Sequence, residues 1–278
     1  GHAYVMQVLW GIKLDERYLD KAGQCAARVF ALNPQSAHGL RLSAMIHYKR
    51  GERSEAARLF KQALTKDPHD TDSMIWLSSV YIRAGKPAAA RPLLRSLLER
   101  DPLNQLGHSW IGWLDFYEGK GTGALLTPVR QAYEMEPGNP LHAYLYAWAL
   151  ACHRQTPDAC SLLHRLSEDS ARTGFGRQAV FFKAALKQDR DAALQAVTED
   201  LTSWANWDDV ASWWMADCYS LIGLTGEALV WTKNAVRLGM IHYPMFSELD
   251  PFLDNARRDP RFQQLVERVK SEWEAFEV

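Results

Sequence analysis

The sequence predicts an all-α solenoid, a right-handed superhelix of about seven helical hairpins with a C-terminal capping helix. Two observations favour this fold. Acidic or amide residues precede a proline at a regular spacing, and each of these pairs follows an amphipathic helical pattern. No alternation of polar and apolar residues lasts long enough to indicate a strand.

The spacing is carried by the dipeptides Asn33-Pro34, Asp67-Pro68, Asp101-Pro102 and Glu136-Pro137, whose prolines are 34, 34 and 35 residues apart. Proline fits the first turn of a helix but disrupts a helix interior. Each proline therefore marks the boundary between two repeating units.

Within each unit the pattern predicts two helices and a turn. Small residues occupy equivalent positions of the first helices, at Ala44, Ser78 and Gly112. Small side chains allow two helices to approach closely, and larger ones fill the space between neighbouring hairpins. Gly85 stands in the predicted turn of the third unit.

This pattern resembles the tetratricopeptide repeat family, whose unit has 34 residues with small and large side chains at these places. The resemblance covers residues 3–166, weakens over about 167–205 and returns over 207–239. It implies a repeat array over 3–239, less regular at about 167–205, followed by capping helices over 240–278.

The C-terminal region contains Asp250-Pro251 and Asp259-Pro260 close to several arginines. Carboxylates beside arginines suggest either an active site or helix capping, and capping explains them better because proline follows each aspartate. A final helix is predicted with one apolar stripe, made by Phe262, Leu265, Val266, Val269, Trp273 and Phe276. This tail is similar to the end of repeat arrays that follow bacterial serine/threonine kinase, adenylate cyclase or winged-helix regulator domains.

Composition excludes several classes of function. The chain has 278 residues and a formal net charge of -1, which argues against nucleic acid as its main partner. No apolar run is long enough to span a bilayer, and no signal peptide is visible. The four cysteines form no C-x-x-C pair and lack histidines at zinc-ligand spacing. We expect reduced thiols in a cytoplasmic protein, with no metal and no cofactor. We also expect the chain to be a piece of a longer protein.

No catalytic signature occurs. The stretch GKGTG at residues 119–123 resembles a phosphate-binding loop, but a predicted helix precedes it where that loop needs a strand. A turn with a one-residue insertion is the better interpretation. We therefore predict that the protein is not an enzyme.

The candidate binding residues follow from the resemblance, which implies that set positions of each first helix line a concave groove. These positions, with two adjacent ones, hold Arg41, Tyr48, Trp110, Trp113, Tyr117, Tyr144 and Trp148. Arg41 would attract a carboxylate, and the aromatic side chains would supply apolar contact. A second interpretation stays open, in which the aromatics pack between hairpins or under the C-terminal helix.

The predicted function is a non-catalytic interaction or regulatory module that holds a peptide or a partner segment in its groove. The partner would be another protein or another domain of the same full-length chain. The members of the family that clamp chaperone C-termini need Lys and Asn on the inner face, a pattern that does not occur here. An alternative is a small-molecule sensor, which would have a closed and partly polar pocket instead of a long open groove.

Overall fold

The computed structural model describes residues 1–9 and 14–278, and the secondary structure of these residues is entirely helical. The α-helices are α1 (His2–Leu9), α2 (Glu16–Leu32), α3 (Ala37–Lys49), α4 (Arg53–Lys66), α5 (Thr71–Arg83), α6 (Pro87–Arg100), α7 (Gln105–Asp115), α8 (Thr122–Met135), α9 (Pro140–Cys152), α10 (Thr156–Asp169), α11 (Gly174–Leu186), α12 (Arg190–Ala196), α13 (Glu199–Asn206), α14 (Asp209–Leu221), α15 (Thr225–Arg237) and α16 (Pro260–Ala275). Two π-helical turns, Phe116–Lys120 and Met245–Leu249, and two 3₁₀ turns, Pro251–Leu253 and Ala256–Arg258, complete the helical structure.

Three of the first helices begin at a polar cap two residues after the proline of the repeat. Ser36 caps α3, Asn104 caps α7, and Asn139 caps α9, each through its side-chain oxygen. Such a cap satisfies backbone N–H groups that have no partner inside the helix. The proline spacing and the caps together fix where each unit starts.

The hairpin turns need a left-handed backbone residue. Gly85 has φ 63° between α5 and α6, and a Cβ there would lie 2.8 Å from Nε1 of Trp273. Arg154 and Gln188 hold the corresponding conformation after α9 and α11, with φ 61° and 58°. Those two turns accept a side chain where most of the others have glycine.

The helices pair in chain order as hairpins, which confirms the predicted all-α solenoid. The pairs are α1 with α2, α3 with α4, α5 with α6, α7 with α8, α9 with α10, α11 with α12, and α14 with α15. The predicted array includes residues 10–13, which lie outside the described residues. The irregular region contains α12 and α13, two short helices where other hairpins have one longer helix, which accounts for its lost spacing.

The array closes on itself through five charged residues, Lys49, Arg53, Arg83, Asp208 and Asp209, which we call the clasp. Nη2 of Arg53 lies 2.8 Å from Oδ2 of Asp209, and Nε of Arg83 lies 3.2 Å from the same oxygen. Nζ of Lys49 lies 3.4 Å from Oδ2 of Asp208. The clasp joins α3–α5 to the start of α14, a contact that the sequence does not predict.

Residues 240–253, which we call the floor segment, cross the inner side of the array at the carboxyl ends of the first helices. The amide of Ile241 donates to the carbonyl of Arg83 at 3.1 Å. The ring of Phe252 lies 5.4 Å from that of Trp148 and 5.4 Å from that of Phe182. The array is therefore closed at this end by its own chain.

The final elements confirm the capping interpretation. Asp250 accepts from the amide of Phe252 at 2.9 Å, and Asp259 accepts from the amide of Arg261 at 2.8 Å. The predicted stripe of α16 is buried except for Trp273, which is half-buried. Nε1 of Trp273 donates to the carbonyl of Gly85 at 2.9 Å. The last helix therefore reaches back to the third hairpin as well as packing on α15.

Candidate functional site

The first helices of the hairpins enclose a cavity of about 310 Å³, which we call the cup. Its lining comes largely from the amino-terminal turns of α5, α7, α9, α11 and α14. Among the described residues, the aromatic side chains in its wall are Tyr48, Trp76, Trp110, Phe175, Trp204 and Trp214. Trp76 and Trp110 are only half-buried. The cup thus offers aromatic surface that the chain itself does not fully cover.

A smaller cavity of about 90 Å³ adjoins the cup and shares Arg83, Trp110 and Trp214 with it. Met240, His242 and Met245 of the floor segment line this second cavity. Burial lowers the pKa of His242 to about 3, so its ring is neutral at physiological pH. The floor segment therefore makes an uncharged base beneath the cup.

The structure brings some of the predicted groove residues to the cup. Tyr48 and Trp110 line it, and the hydroxyl of Tyr48 lies 2.9 Å from Oγ of Ser79. Arg41 does not line it. Nη1 of Arg41 lies 2.5 Å from Asp70 and 3.3 Å from Asp72, so its charge is already compensated within the chain.

The remaining predicted residues, Trp113, Tyr117, Tyr144 and Trp148, lie deeper. The rings of Trp113 and Trp148 are 5.0 Å apart, and the ring of Tyr144 is 4.2 Å from that of Trp214. Tyr144 and Trp148 are both 0% exposed. Trp113 and the half-buried Tyr117 line the smaller cavity. Tyr144 packs against Trp214 behind the cup wall, and Trp148 packs against Phe252 of the floor segment. Their contact with a partner stays a prediction.

Two cup residues that the prediction did not name follow the same register. The positions that hold Trp110 and Tyr117 in the fourth unit hold Trp76 and Arg83 in the third. Applying the register to that unit would have found both residues. Trp204 lies on α13, in the region where the spacing is lost, so no repeat signal points to it.

The clasp supplies the charge at the cup. Burial alone would raise the pKa of Asp209, but Arg53 and Arg83 hold it below its usual range. In the whole clasp, three cations meet two carboxylates. The ion pairs connect distant parts of the chain at the edge of an aromatic cavity.

A pair of buried carboxyl groups holds the floor segment to α14. Asp217 and Asp250 are 1% and 0% exposed. Nε1 of Trp148 donates to Asp217 at 3.1 Å, and Nε1 of Trp213 donates to Asp250. Burial and the neighbouring carboxyl raise the pKa of Asp217 well above its ordinary value, and burial also raises the pKa of Asp250. The raised pKa values favour a protonated form of this pair over the doubly charged one.

Stability should fall with rising pH because of this pair. Asp217 binds a proton more tightly in the folded chain than in the unfolded one, so the stabilisation is lost as the pH rises toward the raised folded pKa. Asp217→Asn keeps the size of the side chain and removes its titrating proton. We expect its free energy of unfolding to decline less than that of the wild type between pH 5 and pH 9, measured by urea denaturation.

The control is Asp169→Asn at an exposed position. It should follow the pH curve of the wild type. A curve for Asp217→Asn that runs parallel to the wild-type curve would contradict the raised pKa of Asp217.

The described residues contain neither a metal-binding cluster nor a membrane-spanning helix. Among residues 1–9 and 14–278, no group of three or more His, Cys, Asp or Glu residues is placed to hold a metal ion. No helix in this part of the chain has the length and apolarity needed to cross a membrane.

The fold is an array of helical hairpins, and comparisons with known proteins find similar repeats. A tetratricopeptide repeat family model matches residues 47–109. Human tetratricopeptide repeat protein 7A is 26% identical over 129 residues, which are 46% of this chain and 15% of that protein. The crystal structure of the APC/C hetero-tetramer Cut9-Hcn1 superposes with a TM-score of 0.62 at 14% identity, covering 90% of this chain and 46% of that one. A thermophilic repeat protein of Thermus thermophilus, TTC0263, gives 0.46 at 16% identity, covering 85% of this chain and 100% of the other.

The chain resembles tetratricopeptide repeat proteins in sequence over residues 47–109 and in fold over most of its length. It spans less than half the length of the human relative and of the Cut9-Hcn1 chain. Its repeats make it a protein-interaction module of helical hairpins.

Proposed function

We propose that the chain is a non-catalytic module that binds a short segment of a partner protein in the cup. A cavity of about 310 Å³ with aromatic rings in its wall carries this proposal. Cavities that bind ligands are usually of this size or larger and are mostly apolar. Aromatic side chains give a large contact area at low entropic cost, which suits them to recognition.

The partner segment should be short. The floor segment occupies the inner side at the carboxyl ends of the first helices, so a peptide lying along the whole groove would meet Phe252. One or two side chains entering the cup from its open side fit the remaining space. The partner is another protein or another domain of the same polypeptide, in keeping with the tail that resembles those of signalling proteins.

The polar groups at the cup support a binding role without catalysis. Asp208 and Asp209 are held in ion pairs, and Asp208 also accepts two amides at the start of α14. Carboxylates engaged in this way are poorly placed to exchange protons with a substrate. All four cysteines are unpaired, which suits the cytoplasmic location that we propose.

The test combines crosslinking with titration. A photoreactive phenylalanine analogue placed at Trp76, on the cup wall, should capture a partner in cells. The same analogue at Tyr133, away from the cup, is the matched control. Peptides from the captured protein should bind the purified chain, and Trp110→Ala should weaken that binding about tenfold or more because it removes half-buried aromatic surface.

Tyr133→Ala should leave the peptide affinity unchanged. Equal capture at positions 76 and 133, or full affinity in Trp110→Ala, would refute the cup as the partner site.

A second candidate function is a small-molecule sensor. The floor segment closes one side of the cup, and the clasp places charged groups in its lining. A closed and partly polar pocket is the geometry expected for a small ligand.

A further inference from the structure

Arg83 stands where the cup meets the smaller cavity and lines both. Its only ion-pair contact within the described chain joins Nε to Oδ2 of Asp209 at 3.2 Å, and its side chain is 17% exposed. No guanidinium nitrogen of Arg83 donates a hydrogen bond to residues 1–9 and 14–278, and Nε is buried without such a partner. A guanidinium has five N–H groups, so Arg83 retains most of its capacity to donate.

The other members of the clasp are better satisfied. Arg53 donates to the carbonyls of Tyr48, Leu238 and Gly239 as well as to Asp209. Asp208 caps α14 and pairs with Lys49. Asp72, Asp208 and Asp209 line the cup with Arg83, and each carboxylate pairs with another cation, Arg41, Lys49 or Arg53. Arg83 only shares Asp209 with Arg53, so an anion beside its guanidinium would be stabilised.

The aromatic side chains of the cup favour a ligand whose remaining part is flat and apolar. The rings of Phe175 and Trp204 lie 5.3 Å apart, and that of Trp214 lies 6.1 Å from Phe175. With Trp110 beside them in the wall, these rings offer flat apolar faces. The amino-terminal turns of five helices line the cup, and their partial positive charges also favour an anion.

We propose that the cup binds a free organic acid with a flat apolar body. The acid group pairs with the terminal nitrogens of Arg83, and the body lies against Trp110, Phe175 and Trp214. The proposal rests on the cup being a binding site, as proposed above, but it requires no protein partner.

The probe is 8-anilinonaphthalene-1-sulfonate, an aromatic anion, compared with N-phenyl-1-naphthylamine, its neutral analogue. Fluorescence titration of the whole chain should show one site that prefers the anion. Arg83→Met should weaken binding of the anion about tenfold or more and change binding of the neutral dye less than about twofold. Arg91→Met, at an arginine paired with Asp115 and Glu118, is the matched control and should change neither.

Trp110→Leu keeps the clasp and should weaken both dyes. If Arg83→Met does not fold, Trp110→Leu serves as the test instead. The site is then supported if the wild type binds the anion more tightly than the neutral dye and Trp110→Leu binds both dyes weakly. Equal binding of the two dyes by the wild type, or an Arg83→Met protein that binds the anion as the wild type does, overturns it. Partner capture at position 76 without dye preference would leave the partner proposal standing and refute this one.

Discussion

Replacing Asp209 by alanine is expected to reduce the free energy of unfolding by about 3–5 kcal/mol. Asp209 has 7% side-chain exposure and pairs with Arg53, which has 3%, and with Arg83. Removing the carboxylate leaves two guanidinium groups buried or half-buried together without their counter-charge. Urea denaturation at neutral pH measures the loss.

The matched control is Asp200→Ala, which breaks the ion pair with Arg177 at a side chain that is 70% exposed. Exposed pairs contribute little because water screens them, so the control should stay within about 1 kcal/mol of the wild type. Asp209→Ala combined with Arg53→Ala should cost less than the sum of the two single variants, because the second change removes one of the uncompensated charges. A loss in Asp209→Ala no larger than in Asp200→Ala would show that the clasp does not hold the array closed.

Replacing Phe252 by alanine should cost about 3–5 kcal/mol as well. The side chain is 7% exposed, and its ring lies edge-on to Trp148 and Phe182. Its removal leaves a cavity under the inner helices and loosens the floor segment. Denaturation measures the stability, and acrylamide quenching of tryptophan fluorescence measures access to the wall behind the cup.

Phe252→Leu keeps most of the apolar volume and should cost clearly less than alanine. Val278→Ala, at a position 58% exposed, should be nearly neutral. If Phe252→Ala were as harmless as Val278→Ala, or if quenching did not rise, the floor segment would not be the element that keeps Trp148 covered.

Many features of the fold are determined by residues close together in the sequence, and such features can be predicted from the sequence. The dipeptides at Pro34, Pro68, Pro102 and Pro137 predict where each unit begins, because a proline acts on the helix turn in which it stands. The aspartates at 250 and 259 act on the amide two residues later, so their capping role was also predictable.

The closure depends on contacts between residues far apart in the chain. Arg53 and Asp209 are separated by 156 residues, and neither stands out in a repeat that is rich in charged positions. The path of residues 240–253 depends on the position of the end of α15, which the contacts of the clasp determine. A terminal cap was predicted, but its reach to Gly85 and Arg83 was not.

The candidate site was predicted in part for the same reason. The inner register identified Tyr48 and Trp110, which line the cup, because position within a helix decides which face a side chain takes. It also named Tyr144 and Trp148, which are fully buried, Tyr144 against Trp214 and Trp148 against Phe252 of the floor segment. The repeat pattern predicts which side chains face inward. It does not predict whether another segment of the chain covers them.

The closed array has a consequence for how the chain folds. In an open row of repeats each unit depends on its neighbours alone, so the two ends unfold independently and stability is a sum of local terms. Here Arg53 bonds the carbonyl of Gly239, 186 residues away, and Trp273 bonds that of Gly85. Contacts of such long sequence separation slow folding and tie the second and third hairpins to the C-terminal part of the chain in one cooperative unit. Removing the last hairpin should therefore weaken the second as much as the one beside it.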